Sequence, residues 1–355
     1  MITRFRLLNF KGHLDTVVHL GKLTMLVGDN ASGKTSVLEA LDLASALAAD
    51  PGSTSNNRPP LADFLRREST EGIEFEILVR AAGTEPAERI FRCSVQPNPH
   101  NADAKWSEKF GLLSFGASVH YGEWQRTYSI PVGTSRIFHL SASRIAEAAY
   151  SSRTDVTIEP DGTNTAVVLA ALKLGNDETF ERIESALRSL IPSVKRVRLQ
   201  RATVKQGSNG SVVGNKIHFD FIGAANVPAH CASHGTLIVL ALLTILFGPN
   251  RPDLILLDDF DHALHPRAQL ELVKLIQELL ALPEFAKLQI VATTHSPYTL
   301  DQLDPDDVQA FALREDGTVA CKPLSAHPAA ESSKGTLTAG QLWSLDPERD
   351  WVLKG

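Results

Sequence analysis

Two short stretches, far apart in the chain, limit its fold more than any other feature. The first is Gly28-Asp29-Asn30-Ala31-Ser32-Gly33-Lys34-Thr35, set between the apolar run Leu23–Val27 and the helical run Ser36–Leu47. This is the pattern G-x-x-x-x-G-K-[ST] in the strand–loop–helix setting that lets backbone amides cradle phosphate. The second is the apolar run Leu254–Leu257, which ends in the carboxylates Asp258 and Asp259. More than half the chain lies between them, a spacing that argues against compact nucleotide kinases and small GTPases.

The first stretch explains itself residue by residue. Gly28 and Gly33 allow backbone geometries that a Cβ would hinder, so successive N–H groups can point at one anion. The helix that begins near Lys34 adds its positive end. Lys34 can reach the β- and γ-phosphates, and Thr35 can offer its hydroxyl to Mg²⁺. Gly28, Asp29, Asn30, Ala31, Ser32, Gly33, Lys34, Thr35 and Ser36 are therefore the expected phosphate-binding set. Asp258 ends a buried strand, where parallel sheets place ligand chemistry, and an acid there can hold Mg²⁺. Asp259 follows it, placed to orient or deprotonate an attacking water. The competing reading is a pair of solvated loop acids.

Two further pieces belong to the same pattern. Ser233-His234-Gly235-Thr236 opens a long apolar helix, where free N–H groups and a serine hydroxyl make a second anion site. A plain serine N-cap is the alternative. Thr293-Thr294-His295-Ser296-Pro297 ends another apolar strand, and His295 could bond a γ-phosphate or the attacking water. Here the alternative is a histidine capping a helix that starts at Pro297.

Between these motifs the chain reads as alternating strands and helices, which implies an α/β fold with a mostly parallel sheet. Strands are expected at Ile2–Asn9, near Thr16–Leu20, and as an antiparallel pair at Phe75–Arg80 and Arg89–Val95. Further strands are expected at Arg136–Leu140, Val194–Val204, Lys216–Phe221, Leu288–Thr293, Val308–Arg314 and Val319–Pro323. Helices are expected at Thr163–Leu174, Asp177–Leu190 and Pro266–Leu282. Pro51–Pro60 reads as an exposed loop, and residues 97–132 carry no clear pattern. The helical block 163–192 interrupts the nucleotide fold as an inserted subdomain. The expected division is one composite head: a lobe at 1–145, a helical subdomain at 146–235, and the acidic strand with His295 at 236–355.

Composition narrows the class. Hydrophobic residues make up 43% of the 355 and charged residues 21%, with a formal net charge of -6. That balance suits a globular protein and not a wholly basic nucleic-acid wrapper. Cys93, Cys231 and Cys321 lack metal or disulfide spacing and are expected as small buried hydrophobes. The longest apolar run, Leu237–Phe247, is too short to span a bilayer, and the N-terminus carries no signal-peptide core. The chain is therefore read as cytoplasmic with no membrane partner.

These four pieces, in this order, resemble the head of an ABC-type ATPase. Gly28–Thr35 resembles its Walker A motif, and Leu254–Asp259 its Walker B motif with the adjoining catalytic acid. Ser233-His234-Gly235 stands where the signature motif stands, and His295 where the switch histidine stands. The stretch Asp258-Asp259-Phe260-Asp261-His262-Ala263-Leu264-His265-Pro266 is similar to a D-E-P-E-x-H-L-H-P run. That run marks the branch of OLD-family proteins and the stand-alone ATPases encoded beside antiphage effectors. Asn9-Phe10-Lys11-Gly12-His13 resembles the start of RecF and SMC heads.

The resemblance implies an ATPase using ATP and Mg²⁺, with Lys34, Asp259 and His295 catalytic and Thr35 and Asp258 holding the metal. It also implies a homodimer in which Ser233 and Gly235 of one copy face the nucleotide of the other. A nuclease or toxin-like effector partner is expected, in antiphage defence or DNA repair. DNA contact would involve Lys195, Arg196, Arg198 and Arg201, or Arg66 and Arg67. The departures matter too. Asp259 stands for the family's glutamate, one methylene shorter, so hydrolysis is expected to be slow. Phe260 replaces a proline, Ala263 replaces a histidine, and Gln96 and Gln125 are the only candidates for a glutamine loop. Arg144 resembles an arginine that recurs in this branch. Fewer residues follow His295 than a Toprim nuclease domain needs. The alternatives are an ATP-binding scaffold with little hydrolysis, or the nucleotide-binding subunit of a transporter.

Overall fold

A computed structural model describes residues 1–49, 64, 66, 72–80, 88–97, 106–113, 134–153, 156–206 and 210–354. The loop expected at Pro51–Pro60, Arg67 and Gln125 lie outside these residues. The strands are β1 (Ile2–Phe10), β2 (His13–His19), β3 (Leu23–Gly28), β4 (Ile73–Arg80), β5 (Glu88–Pro97), β6 (Trp106–Leu113) and β7 (Ser135–Phe138). They continue with β8 (Val194–Gln206), β9 (Gly210–Phe221), β10 (Ala224–Pro228), β11 (Leu254–Leu257), β12 (Gln289–Thr293), β13 (Val308–Leu313) and β14 (Val319–Pro323). The helices are α1 (Lys34–Ala49), α2 (Ala142–Ile145), α3 (Thr165–Gly175), α4 (Asp177–Leu190), α5 (His234–Phe247), α6 (Pro266–Ala281), α7 (Pro297–Leu300), α8 (Ala339–Trp343) and α9 (Glu348–Trp351). Contacts divide the chain into two units. Met1–Ile137, Pro252–Leu257 and Ile276–Gly355 form the first, and Phe138–Arg251 with Asp258–Leu275 the second.

The first unit is built on a six-stranded sheet of order β14-β13-β3-β12-β11-β7. The β13–β3, β3–β12 and β12–β11 pairs are parallel, and β13–β14 is antiparallel. Every residue of β3, β11 and β12 is buried, which is why these strands read as unbroken apolar runs. A five-stranded antiparallel sheet, β2-β1-β4-β5-β6, completes the unit. Its buried face carries Phe5, Phe10 and Phe75, with the Phe5 and Phe75 rings stacked at 5.7 Å. The face of α1 that bears Val37, Leu38, Leu41 and Ala44 packs into the same core. Two buried glutamines join the sheets by acting as backbone. Gln289 Oε1 accepts from Ile2 N at 3.0 Å, and its Nε2 donates to the carbonyls of Ile2 and Gly21, each at 2.7 Å. Gln309 Oε1 accepts from His19 N at 3.3 Å.

The second unit holds the three-stranded sheet β10-β9-β8 with α2 to α5. On α4 the buried residues Phe180, Ile183, Leu187 and Leu190 follow helical spacing, and the Asn176 side chain caps its start by accepting from Thr179 N. α5 is apolar on every face and buried from Thr236 to Leu246. Among the described residues no helix is long and apolar enough to cross a membrane.

Several expectations needed correction. β6 lies in the stretch that showed no pattern, and it pairs with β5. β9 starts at Gly210 instead of Lys216, because its polar first half pairs with β8 through Gln206↔Gly210 to Arg201↔Asn215. Ladder pairing there needs only backbone. The helix expected from Pro297 is present as a single turn, and a Cβ at Gly340 would strike the Pro297 carbonyl. Cys231 is exposed, not buried, whereas Cys321 is half-buried and its thiol pKa is raised by burial. The basic residues Lys195, Arg196, Arg198 and Arg201 all lie in β8, as expected. Alternation puts Arg196 and Arg198 on one face and Arg201 on the other. Arg198 is already forked onto Asp220, both carboxylate oxygens lying 2.8 Å from its Nε, and holds that carboxyl down at about 2.

Candidate nucleotide site

The phosphate loop joins β3 to α1 and is tightly determined. Gly28 has φ +137, and a Cβ there would strike the Phe311 carbonyl of β13. Gly33 has φ +97, and its Cβ would lie 2.9 Å from both His13 Nε2 and Val319 Cγ2. Both positions therefore need glycine for two reasons, backbone angle and space. Ala31 adopts φ +62, a left-handed conformation of the kind that lets neighbouring N–H groups face one anion. The buried Lys34 ammonium donates to the carbonyls of Gly28 and Asp29, each at 2.8 Å. Ser32 is buried, and its hydroxyl has no hydrogen-bond partner among the described residues. A loop at a helix N-terminus, with a buried lysine and a buried hydroxyl left unpartnered among the described residues, suits an anionic ligand, so the residues fit a polyphosphate. Thr35 is exposed beside them.

His13 supports this loop from β2, a role the sequence did not suggest. Its side chain is fully buried, with Nε2 3.1 Å from the Gly33 carbonyl and Nδ1 3.0 Å from Thr16 Oγ1. The carbonyl only accepts, so Nε2 carries the proton and donates. Burial pushes the His13 pKa down to about 4, which keeps the ring neutral. The side chain of Asp29 is engaged by Arg349 of α9 at 3.0 Å, with both groups mostly exposed.

His295 lies at the same edge of the parallel sheet. β12 pairs with β3 through Thr293↔Leu26, and Thr294 N donates to the Leu26 carbonyl at 3.2 Å. His295 follows and is exposed. Leu257 of β11 pairs with Ala292, so β11 ends at that edge too.

Asp258, Asp259, Ser233 and Gly235 belong to the second unit. Asp258 is half-buried; Asp259 is exposed and adopts φ +47. The loop after them is held by the buried Gln269, whose Nε2 donates to the carbonyls of Asp261 at 3.3 Å and Leu264 at 3.2 Å. Gly235 abuts the same loop: a Cβ there would lie 3.0 Å from the Ala263 carbonyl and 3.1 Å from Leu264 Cδ2. Ser233 is the N-cap of α5, accepting from Thr236 N at 3.2 Å. Arg144 lies in ion pairs with Asp161 at 3.1 Å and Glu147 at 3.2 Å. Gln96 is part of β5 in the antiparallel sheet. At the end of β7, next to β11, the chain instead presents His139, whose Nδ1 is 3.2 Å from Asp258 Oδ2.

Comparison with known proteins gives three findings. A family model described as "AAA domain, putative AbiEii toxin, Type IV TA system" matches residues 23–301. The Septu protein PtuA of Bacillus thuringiensis is 37% identical over 71 residues, a stretch that spans 20% of this chain and only 17% of that protein. Among solved structures, an SMC head bound to the C-winged helix domain of ScpA superposes with a TM-score of 0.59. Identity is 13%, with 90% of this chain and 96% of that one covered. An SMC head with an extended coiled coil, bound to the C-terminal domain of ScpA derived from Pyrococcus furiosus, gives 0.54 at 12% identity. Coverage there is 91% of this chain and 96% of that one. The likeness to SMC heads is one of fold, a P-loop ATPase fold with a mostly parallel sheet and added antiparallel sheets. Because its model spans more than half of the chain and takes in the phosphate loop, the acidic strand and His295, this protein belongs to that AAA-domain ATPase family.

Proposed function

We propose that this chain binds and hydrolyses ATP as an ABC-type head, dimerises around the nucleotide, and works as a switch in antiphage defence with an effector protein. The observation that carries the ATP reading is the phosphate loop, with its two glycines at positive φ, its buried Lys34 and its buried Ser32 hydroxyl, unpartnered among the described residues. The local match to the Septu protein PtuA supports defence over DNA repair. Placement in the OLD-like branch rests on the Asp258–Pro266 run.

In this reading the loop amides and Lys34 hold the phosphates, and Thr35 and Asp258 hold Mg²⁺. The metal, when bound, would offset phosphate charge. Asp259 would orient the attacking water and His295 would bond the γ-phosphate. Ser233 and Gly235 would serve the nucleotide of a second copy, giving an isologous dimer. A second reading, an ATP-binding scaffold with little turnover, is favoured by one feature: Asp259 is short for the glutamate's task. The exposed Lys195, Arg196 and Arg201 leave DNA contact as a secondary proposal.

Nucleotide titration and steady-state phosphate release test this together. Lys34→Ala should weaken ATP binding about 100-fold, the scale of a lost charge-assisted contact set. Asp259→Asn should accumulate an ATP-bound dimer by light scattering. Unchanged ATP affinity in Lys34→Ala would overturn the site, and a strictly monomeric Asp259→Asn protein at saturating ATP and Mg²⁺ would overturn the switch. Turnover in wild type that matches Lys34→Ala would favour the scaffold.

A further inference from the structure

The carboxylate of Asp258 has a companion that the sequence motifs do not name. β7 ends at Phe138, whose carbonyl accepts from Asp258 N at 3.0 Å, so the ends of β7 and β11 are locked in register. The next residue, His139, places Nδ1 3.2 Å from Asp258 Oδ2. A carboxylate can only accept, so the ring presents Nδ1–H to it. The backbone under His139 is fixed as well. His139 N donates to the Pro160 carbonyl at 2.9 Å, and Ser141 N to the Asp161 carbonyl at 3.1 Å. Asp161 in turn accepts from Thr163 N at 3.0 Å and from Arg144 Nε at 3.1 Å. All of these residues belong to the second unit, so the arrangement is self-contained.

We infer that His139 is a positioning residue for Asp258. Its Nδ1–H holds one carboxylate oxygen and so fixes the orientation in which the group meets a divalent cation. The inference rests on the reading of Asp258 as a metal ligand. A ligating carboxylate that is free to rotate must be ordered on binding, and a hydrogen bond made beforehand removes that cost. His139 needs no contact with metal or nucleotide to do this. Its side chain is about half exposed (53%), so replacing it should not disturb the core.

The test uses Mn²⁺ as the probe, titrated into the full chain with bound ATP and followed by electron paramagnetic resonance. ATP affinity in EDTA is measured beside it. His139→Ala should weaken Mn²⁺ binding roughly 10-fold and leave metal-free ATP affinity unchanged. His139→Asn, which restores an N–H near the Nδ1 position, should recover most of the loss. Asp258→Asn should lose more, and the double variant should be no worse than Asp258→Asn alone, because the histidine acts only through the aspartate. Wild-type Mn²⁺ affinity in His139→Ala, or an additive double variant, overturns the positioning role while Asp258 stands. If Asp258→Asn itself binds Mn²⁺ like wild type, the metal-ligand reading and this inference fall together.

Discussion

The loops at 28–35 and 258–265 carry the two most readable motifs in the chain, yet they are held in different ways. The phosphate loop is constrained by close neighbours at both of its glycines. Phe311 leaves no room for a Cβ at Gly28, and His13 with Val319 leaves none at Gly33. Lys34 and Ser32 are themselves buried. In the acidic loop the Gln269 amide bonds the carbonyls of Asp261 and Leu264, while Asp259 and Ala263 take positive φ in exposed positions. The first loop is thus built rigid before any ligand arrives, which lowers the ordering cost of binding. The second keeps Asp259 on a solvent-facing turn at positive φ, the kind of position that tolerates movement.

The sharpest way to break this comparison is acid. His13 has a folded pKa near 4 against an ordinary value of 6.5. Above pH 6.5 both states carry a neutral ring. As pH falls from 6.5 towards 4 the unfolded chain takes up the proton and the folded one does not, so stability drops by up to about 3 kcal/mol. Denaturation followed against pH should show this slope, and His13→Gln should flatten it. Equal slopes would mean that the ring is not the buried prop described above.

A smaller effect separates the glycines. Gly33→Ala combines a positive φ with two contacts at 2.9 Å, and should cost about 2 to 3 kcal/mol in urea melts. Gly235→Ala meets Ala263 at 3.0 Å without a positive φ, and should cost about 1 kcal/mol. A reversed order would sink the distinction between a rigid and a yielding loop. Smallest of all is Arg349→Ala. Its pair with Asp29 is exposed on both sides (69% and 64%), so a thermal melt should move by no more than about 0.5 kcal/mol.

Much of this was legible in sequence because it depends on neighbours along the chain. The phosphate loop needs glycines at fixed offsets, and buried parallel strands need continuous apolar runs, so β3, β11 and β12 appeared at nearly their observed bounds. The parts that stayed hidden depend on residues distant in sequence. β6 and the first half of β9 have no apolar alternation; backbone pairing with β5 and β8 makes them strands. His13 looks like the end of the stretch Asn9–His13, and His139 like an isolated polar residue. Their meaning comes from Gly33, twenty residues on, and from Asp258, more than a hundred residues on.

The sequence by itself determined the nucleotide-binding fold and the order of its motifs, since both follow from local geometry and apolar periodicity. Only the tertiary structure decided which polar groups hold those motifs still. Gln289 and Gln309 tie the two sheets together, and His13 braces the phosphate loop. Gln269 secures the acidic loop, and His139 sits on the Asp258 carboxylate. Each is a polar side chain whose hydrogen bond is made across the fold, and a linear pattern has no term for a partner that only folding brings within reach.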